Sequence, residues 1–415
     1  MGAGGCDQRN LEMKILFLST WFPYPPNQGS KIRAYYLLKA LATRHEVALV
    51  TFEDVDLDPN WVEHIRQLCS RVEIVRRKPF AASKGRTWFG WLSTLPSAVV
   101  AIHSSEMAEK VNQVARSWKP DVVVALTFVT APYALAVPEA LKVIDIDNFM
   151  ARMLQEAIPT TKNSLTRLRR WLAYRKFLGY ERTLYPKFDL CLVVTESDRR
   201  AVIRQIALQP DKLSITPNGV DTQYNHLEAK KPVPNTLIFN GALTYKANYD
   251  AMSFFLRDIY PEIIRQLPDV CLRVTGSTKD VDLGGLLIDE HVELTGFLPD
   301  IRPAVAQSWV CVVPLRMGGG TRLKILEAMS LGTPVVSTAK GAEGLDVEDS
   351  THLLIGETPS EFADQVLRVL RSAELRERLV RNAGRLVADR YEWSQIGADF
   401  CSAIEQLVFM ERNRN

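Results

Sequence analysis

The sequence lacks several patterns that would assign it to common protein classes. It has no uninterrupted apolar run of about 18 residues, so no segment is predicted to cross a membrane. Its six cysteines include no CxxC pair and its six histidines show no HxxxH spacing, so no metal site is predicted. Basic residues number 51 and acidic residues 48, and the resulting net charge of +3 argues against a nucleic-acid-binding protein. No GxGxxG motif follows the predicted first strand of either half, which argues against a dehydrogenase.

The cysteines and the first residues bear on the cellular compartment. Cys191, Cys271 and Cys311 each lie in an apolar, strand-like run, where a free thiol packs as a small hydrophobic group. A reduced, cytoplasmic protein is therefore expected. Residues 1–12 (MGAGGCDQRNLE) are polar and glycine-rich and lack the apolar core of a signal peptide, so they are predicted to form a disordered leader.

Length and composition predict a globular protein with two domains. The chain has 415 residues, of which 47% are apolar and 24% charged. These fractions are typical of a globular protein. The length exceeds what one ordinary core accommodates and suits two cores of roughly 150–200 residues each.

In the first half, short apolar runs alternate with longer helical patterns such as Ser30–Thr43 and Ser104–Trp118. Runs that are almost continuously apolar predict parallel strands buried on both faces. The alternation of strand and helix predicts right-handed crossovers and a doubly wound sheet. The predicted strands are Lys14–Ser19, Glu46–Phe52, Val72–Val75, Asp121–Ala125, Lys142–Ile146, Leu190–Val194 and Leu213–Thr216.

The pattern pauses at a turn, Asn218–Asp221, and at a connector rich in lysine and proline, Glu228–Asn235, and then restarts. The predicted fold class is α/β, with two Rossmann-like domains, each built on a doubly wound parallel sheet, that face a cleft. The first domain is predicted to comprise residues 13–228 and the second residues 229–392. An amphipathic helix in 393–415 is predicted to pack back on the first domain. The second set of predicted strands is Thr236–Asn240, Val270–Thr275, Val292–Leu294, Val310–Val313, Pro334–Ser337 and His352–Ile355.

The most informative segment is the strand, glycine-rich loop and helix in VCVVPLRMGGGTRLKILEAM, which begins at Val310. A glycine loop that leads into a helix collects unpaired backbone N–H groups and the positive end of the helix dipole, so it attracts phosphate. Arg322 and Lys324 add cations in the first turn of a helix predicted to begin at Thr321. At about 100° per residue, Lys324 and Glu327 share one face of that helix. A carboxylate beside an anion site suits a ligand that also carries hydroxyl groups. The alternative is an ordinary surface pair spaced i,i+3 beside a flexible loop.

The segment resembles the donor-binding core of the GT-B glycosyltransferases, specifically the retaining family 4, in which a Glu precedes Ala-Met and Gly-x-Pro-Val-Val follows. Here these are Glu327–Ala328–Met329 and Gly332–Val336. The resemblance implies that Glu327 binds the ribose hydroxyls of a nucleotide diphosphate sugar. It also implies that Arg322, Lys324 and the loop residues contact the diphosphate or the sugar. The loop residues are Gly318, Gly319, Gly320 and Thr321. The family's first Glu, eight residues before Glu327, is replaced by Gly319.

Three further segments resemble the same family. FNGALTYKANYDA, from Phe239, is similar to the loop that opens the second domain, which implies close backbone approach at Gly241 and a diphosphate contact by Lys246. ELTGFLPD, from Glu293, resembles the loop that holds the nucleobase, through Gly296 and Phe297. In the first domain, STWFPYPPNQGSKIRAYY, from Ser19, resembles the acceptor-side loop, which implies that Gly29 and Ser30 lie near the acceptor.

A strand in the first domain ends in Asp145 and Asp147. A D-x-D after an apolar strand is also the metal motif of the GT-A glycosyltransferases, but that fold would leave the second half of this chain unexplained. Asp147, with Asp145 second, is therefore predicted to contact the acceptor hydroxyl. The alternative is that the aspartate caps the helix before Phe149.

Two stretches, 76–95 and 166–187, mix cations with aromatic residues. A helix of this composition can bind to an anionic membrane. The alternative is that its cations face solvent and its aromatic side chains belong to the core. A hydroxyl acceptor that is lipid-linked, and peripheral contact with the cytoplasmic face of a membrane, are therefore considered beside the solvated alternative.

Taken together, the resemblance implies a retaining, metal-independent hexosyltransferase of glycoconjugate synthesis that uses a nucleotide-sugar donor and no other cofactor. The alternatives are a nucleotide-sugar epimerase of similar fold and a catalytically silent nucleotide-sugar-binding protein.

Overall fold

The computed structural model describes residues 12–53, 56–76, 93, 95–159, 163–226, 232–318 and 321–414. The predicted leader, apart from residue 12, lies outside the described residues. The described chain forms two compact units. The first comprises the residues up to Pro217 together with those from Ile396 onward, and the second comprises Asn218–Gln395.

The first unit is built on a seven-stranded parallel sheet with the strand order β3-β2-β1-β4-β5-β6-β7. Side chains of the inner strands are buried on both faces, as their continuous apolar sequence requires. Each strand that the sequence predicts for this unit is present, with bounds that differ by at most one residue at either end. The strands are Lys14–Ser19 (β1), Glu46–Glu53 (β2), Arg71–Arg76 (β3), Val122–Leu126 (β4), Leu141–Ile146 (β5), Leu190–Val193 (β6) and Leu213–Ile215 (β7).

Helices connect these strands, and side-chain caps define where several of them begin. Ser104 accepts a hydrogen bond from the amide of Met107, and Thr195 from that of Asp198, as N-cap residues do. The helices of this unit are Gly29–Ala42 (α1), Pro59–Arg66 (α2), Ser97–Ile102 (α3), Ser105–Trp118 (α4), Thr127–Ala134 (α5), Met150–Ala157 (α6), Ser164–Leu184 (α7) and Glu196–Ile206 (α8).

The second unit has a six-stranded parallel sheet with the order β10-β9-β8-β11-β12-β13. Its strands are Thr236–Asn240 (β8), Cys271–Thr275 (β9), Val292–Gly296 (β10), Val310–Val313 (β11), Val335–Ser337 (β12) and Leu354–Ile355 (β13). All six predicted strands are present, so the predicted fold class of two parallel-sheet α/β domains is confirmed. Its helices are Lys246–Phe254 (α9), Tyr260–Gln266 (α10), Arg302–Ala306 (α11), Leu323–Ser330 (α12), Ala339–Ala342 (α13), Pro359–Arg371 (α14) and Ala373–Arg390 (α15), with one π-helical turn at Phe255–Ile259.

The last helix, Trp393–Arg412 (α16), joins the second unit to the first, and from Ile396 onward it belongs to the first. A Cβ placed on Gly397 would lie 2.6 Å from the Cβ of Ala40, so α16 packs closely against α1. Glu405 adds an ion pair with Arg44 at 3.3 Å. Within the described residues, no helix combines the length and the apolar character needed to cross a membrane.

The boundary between the units lies nearer the N-terminus than the predicted division after residue 228. Residues from Asn218 belong to the second unit. The amide of Val220 donates to the carbonyl of Tyr391, and the guanidinium of Arg302 donates to the carbonyl of Tyr224. These contacts join residues far apart in the sequence, so a turn signal alone could not reveal them.

Candidate functional site

The second sheet reverses its strand order between β8 and β11, which are neighbours although other elements separate them in the chain. In sheets of this kind ligands bind at the carboxyl ends of the strands, beside such a reversal. β8 ends at Asn240 and β11 ends at Val313. The loops that follow these two strands are the ones that the sequence analysis selects, at Gly241 and at residues 318–320.

Gly241 allows two polar side chains to approach the end of β8. A Cβ at this position would lie 2.6 Å from Nζ of Lys324 and 2.8 Å from Nδ2 of Asn248, closer than real Cβ atoms come to other heavy atoms. Its backbone N–H donates to the carbonyl of Thr275 at 3.1 Å. The absence of a side chain at Gly241 therefore leaves the space that Lys324 and Asn248 occupy.

Lys324 lies in the first turn of α12 and is half-buried. Its ammonium donates to Oδ1 of Asn248 at 3.0 Å and lies 4.0 Å from the ring centroid of Phe239. Burial lowers the pKa of Lys324 to about 8, and the neighbouring charge of Arg322 acts in the same direction, whereas Glu327 opposes it. The site thus holds a cation whose charge is poorly compensated, which favours an anionic ligand.

Glu327 lies one helical turn after Lys324 and is half-buried as well. Nδ2 of Asn240 donates to its Oε2 at 3.2 Å. Within the described part of the chain, Oε1 has no hydrogen-bond donor. Burial raises the pKa of Glu327 to about 7, although the charge of Lys324 and the bond from Asn240 both lower it. A carboxylate with one unused oxygen is a ready acceptor for the hydroxyl groups of a ligand.

Arg322 lies before α12, because the helix begins at Leu323 and not at Thr321 as predicted. The residue is 6% exposed, and its guanidinium donates to the carbonyl of Gly318 at 2.7 Å and to that of Lys340 at 3.4 Å. Gly318 has a φ of +101°, which a side chain would strain. Arg322 thus fixes the start of the glycine loop, and its predicted contact with a ligand stays a prediction.

The other loop positions divide into two groups. Gly319 and Gly320 lie outside the described residues. Thr321 is described, and its hydroxyl oxygen is buried without a hydrogen-bond partner within the described ranges. A buried hydroxyl without a partner is costly, so Thr321 has capacity to bind a further polar group.

Lys246, Gly296 and Phe297 lie beside loops at the carboxyl ends of β8 and β10. Lys246 is exposed at the start of α9, and Phe297 is 67% exposed. Gly296 has a φ of +68° and has open space where a Cβ would be. Their roles in binding a donor stay predictions.

Asn240 and Asn248 are the site residues that the sequence analysis missed. Both are buried, and both are oriented by hydrogen bonds. The thiol of Cys311 donates to Oδ1 of Asn240 at 3.5 Å, and Nδ2 of Asn248 donates to the carbonyl of Ala242 at 2.9 Å. A polar residue at the end of an otherwise apolar strand was the one available signal, and it points to Asn240 alone.

In the first unit, Asp145 forms a buried ion pair with Arg33 of α1. The two side chains are 1% and 2% exposed, and both carboxylate oxygens accept, at 2.7 Å from Nε and 2.6 Å from the terminal nitrogen Nη2. Arg33 also donates to the carbonyl of Pro217, the last residue before the second unit. Asp145 therefore links β5 to α1, and its predicted contact with an acceptor stays a prediction.

Asp147 is half-buried and accepts from the side chain of Asn148 at 2.9 Å. The alternative interpretation, a helix cap, is wrong for both aspartates, because Glu181 of α7 caps α6. Its two carboxylate oxygens accept from the amides of Met150 and Ala151, each at 3.1 Å. Gly29 and Ser30 are exposed at the start of α1.

In the described part of the chain, no three His, Cys, Asp or Glu side chains come close enough to form a metal site. Independence of metal stays a prediction.

Comparison with known families agrees with the geometry of both units. Residues 28–224 match the family described as Glycosyltransferase Family 4, and residues 234–372 match the family described as Glycosyl transferases group 1. The chain belongs to the GT-B glycosyltransferases of group 1 and family 4. The second match contains Asn240, Gly241, Lys324 and Glu327, and the first contains Arg33 and Asp145.

Individual relatives of this glycosyltransferase are distant. An uncharacterized 44.6 kDa protein in the cps region of Klebsiella pneumoniae is 20% identical over 400 residues, covering 92% of this chain and 97% of the relative. The structure of HepE from Anabaena in complex with UDP and glucose is similar at 16% identity and a TM-score of 0.63, covering 95% of this chain and all of that one. Sucrose-phosphate synthase from Thermosynechococcus elongatus has 16% identity and a TM-score of 0.66, covering 95% and 99%. At these identities the structures establish the shared fold.

Proposed function

We propose that this glycosyltransferase moves a hexose from a nucleoside diphosphate sugar to a hydroxyl acceptor, with retention of the anomeric configuration. The observation that carries the proposal is the pairing of a cation and a carboxylate around Gly241. Lys324 offers a cation to the diphosphate, and Glu327 offers a hydrogen-bond acceptor to the hydroxyl groups of the neighbouring ribose. HepE, which shares the fold, is described as bound to UDP and glucose, and this supports a nucleotide-sugar donor.

In the proposed complex, Lys324 binds the diphosphate together with amides of residues 318–321, and Arg322 holds that loop in place. Lys246 reaches the diphosphate from α9. Oε1 of Glu327, which lacks a donor within the described residues, accepts the ribose hydroxyls. The backbone at Gly296 and Phe297 supports the base.

The chemical step breaks the bond between the anomeric carbon and the phosphate oxygen and forms a bond from that carbon to the acceptor oxygen. Negative charge grows on the departing diphosphate, and Lys324 stabilises it, which is commonly the largest catalytic contribution. The acceptor attacks from the face that the diphosphate leaves, and its proton passes to the departing phosphate. This step requires neither a protein nucleophile nor a metal ion. Asp147 is proposed to contact the acceptor hydroxyl.

The acceptor is proposed to be lipid-linked and reached at the cytoplasmic face of a membrane. Three apolar side chains of α7 are largely exposed: Leu165 at 57%, Leu168 at 52% and Trp171 at 45%. At about 100° per residue they share one side of the helix, and Arg167 and Arg169 flank that side. Such a helix lies well in the interface of an anionic bilayer. The product is then a glycolipid, polysaccharide or other glycoconjugate, and the reference to a cps region in the name of the Klebsiella relative supports that class.

Calorimetric titration with UDP, GDP, ADP and dTDP tests donor binding. We expect one nucleotide to bind the wild type tightly, and Lys324→Met or Glu327→Gln to weaken it roughly 10–100-fold, since each removes a charge-assisted hydrogen bond. Glu374→Gln is the matched control, because Glu374 is an exposed glutamate on α15 of the same unit. Unchanged affinity in folded Lys324→Met and Glu327→Gln would refute the proposal.

Product analysis separates transfer from its two alternatives. A transferase releases the nucleoside diphosphate in step with glycosylation of the acceptor, and the anomeric configuration of the product reports retention. An epimerase would convert the donor sugar with no acceptor present. A silent binding protein would show affinity for the nucleotide and no turnover.

A further inference from the structure

The first unit contains an apolar cavity of about 580 Å³ bounded by α3, α5 and α7. This volume falls in the range of about 300–1,000 Å³ that is usual for small-molecule sites. Its wall is mainly aliphatic and aromatic, with Val99, Ile102, Phe128, Val129, Leu135 and Leu184 among the residues that form it.

Four side chains with polar atoms complete the wall of the cavity, those of His103, Tyr133, Tyr180 and Lys187. The hydroxyl of Tyr180 is buried and has no hydrogen-bond partner in the described part of the chain. Burial raises the pKa of Tyr180 to about 12, so the hydroxyl stays protonated and able to donate. Lys187 is exposed at the cavity and contributes a cation. His103 stacks on Tyr133, with ring centroids 5.9 Å apart and planes 15° apart.

This composition suits an aliphatic chain better than a sugar. A sugar buried here would lose water from several hydroxyl groups, and the wall offers too few partners to replace it. An aliphatic chain loses nothing polar and gains from every methylene that it buries. One cation and one unused hydroxyl then remain for a single anionic group at the head of the chain.

The helix that forms one side of the cavity also carries the exposed apolar stripe. Leu165, Leu168 and Trp171 lie in the first half of α7, whereas Tyr180 and Leu184 lie in the second. At 1.5 Å per residue, Trp171 and Tyr180 are about 14 Å apart along the helix. Binding of the stripe to a bilayer would therefore bring the cavity close to the lipids of that surface.

We infer that this cavity binds the aliphatic chain of the lipid acceptor, with Lys187 and the hydroxyl of Tyr180 at its anionic head group. The inference rests on the proposed function, because it specifies the acceptor of that reaction. It also assigns α7 a second role, as one wall of the acceptor site.

Dodecyl phosphate below its micellar concentration is the probe, with butyl phosphate as its short-chain counterpart. Calorimetric titration of the full chain should show binding of dodecyl phosphate. Butyl phosphate has eight fewer methylene groups, each contributing roughly fourfold when buried, so it should bind at least about 100-fold more weakly. Equal affinities would overturn the inference, because they would mean that the phosphate alone is recognised.

A cavity-filling substitution locates the probe. Val99→Trp places a large side chain in the cavity and should lower the affinity for dodecyl phosphate about tenfold or more. Ala101→Trp is the matched control, since Ala101 is exposed on the same helix and does not line the cavity. If Val99→Trp fails to fold, Val99→Met should give a smaller loss in the same direction. Equal binding by the Val99 and Ala101 variants would overturn the inference, and so would absence of binding to the wild type.

Nucleotide binding separates failure of this inference from failure of the proposed function. Wild type that binds a nucleoside diphosphate and not dodecyl phosphate would sink the inference and leave the proposed function intact. Wild type that binds dodecyl phosphate and no nucleotide would refute the proposed transferase and leave a lipid-binding cavity whose lipid is not an acceptor. Folded Val99→Trp should bind the nucleotide as the wild type does, because Val99 and the nucleotide site lie in different units.

Discussion

Replacing Gly241 by alanine tests the geometry of the donor site with a single methyl group. The new Cβ would lie 2.6 Å from Nζ of Lys324, and ordinary contact requires at least 3.4 Å. The ammonium must therefore retreat, and its 3.0 Å bond to Asn248 is lost or weakened. Both colliding atoms are the ends of side chains, so the fold should lose only about 1 kcal/mol of stability.

The effect on binding should be much larger than the effect on stability. A charge-assisted hydrogen bond contributes about 1.5–3 kcal/mol, so displacing Lys324 should lower the affinity for the nucleoside diphosphate roughly 10–100-fold. Calorimetric titration measures the affinity, and urea denaturation measures the free energy of unfolding.

The matched control is Gly384→Ala, the same substitution on α15 of the same unit. Nothing lies within 4 Å of a Cβ at Gly384, so this change should stabilise the helix by roughly 0.5–1 kcal/mol and leave affinity unchanged. Folded Gly241→Ala protein that binds the nucleotide within twofold of the wild type would refute the placement of Lys324.

Three further predictions concern pH, a buried ion pair and a helix contact. Because the pKa of Glu327 is about 7 in the free protein, protonation competes with ribose binding as the pH falls. Between pH 7.5 and pH 6, nucleotide affinity should fall roughly fivefold more in the wild type than in Glu327→Gln, in which Lys324, with a pKa of about 8, still titrates; parallel titration curves for the two proteins would contradict this. Arg33→Met should lower the free energy of unfolding, measured by urea denaturation, by about 3–5 kcal/mol because it leaves the buried carboxylate of Asp145 without its partner. The double variant Arg33→Met with Asp145→Leu should recover most of this loss. Equal losses in the two variants would show that the pair is not coupled. Gly397→Ala should lower the free energy of unfolding by about 1–3 kcal/mol through its clash with Ala40, and a thermal melt measures the loss. Adding Ala40→Gly to Gly397→Ala should partly restore the stability. An unchanged melting temperature for Gly397→Ala would exclude the close contact.

Strand positions were predictable because each buried parallel strand carries its own signal. Val310–Val313 is apolar at every position, and a short run of this kind between turn residues indicates a strand buried on both faces. Helix ends were less predictable. Thr321 looked like the start of α12, yet the helix begins at Leu323, since the backbone of Arg322 is not helical and its guanidinium donates to the carbonyls of Gly318 and Lys340.

Part of the candidate site was also predictable from local sequence. Lys324 and Glu327 lie three residues apart, so helix geometry alone places them on one face. Asn248 lies 76 residues from Lys324 in the chain, and nothing in either segment indicates the other. Glu181 likewise caps a helix that begins 31 residues earlier, a position for which the sequence offered a nearby aspartate as an alternative.

The sequence by itself determined the class of the protein: two parallel α/β sheets and a glycine loop leading into a helix with a cation and a carboxylate. These features depend on neighbours in the chain, and periodicity and spacing record them. The tertiary structure decided which side chains complete each site: Asn240 and Asn248 around Lys324 and Glu327, Arg33 on Asp145, and the apolar cavity beside Tyr180. Such contacts arise when distant elements pack together, and their energy depends on burial that no single segment contains.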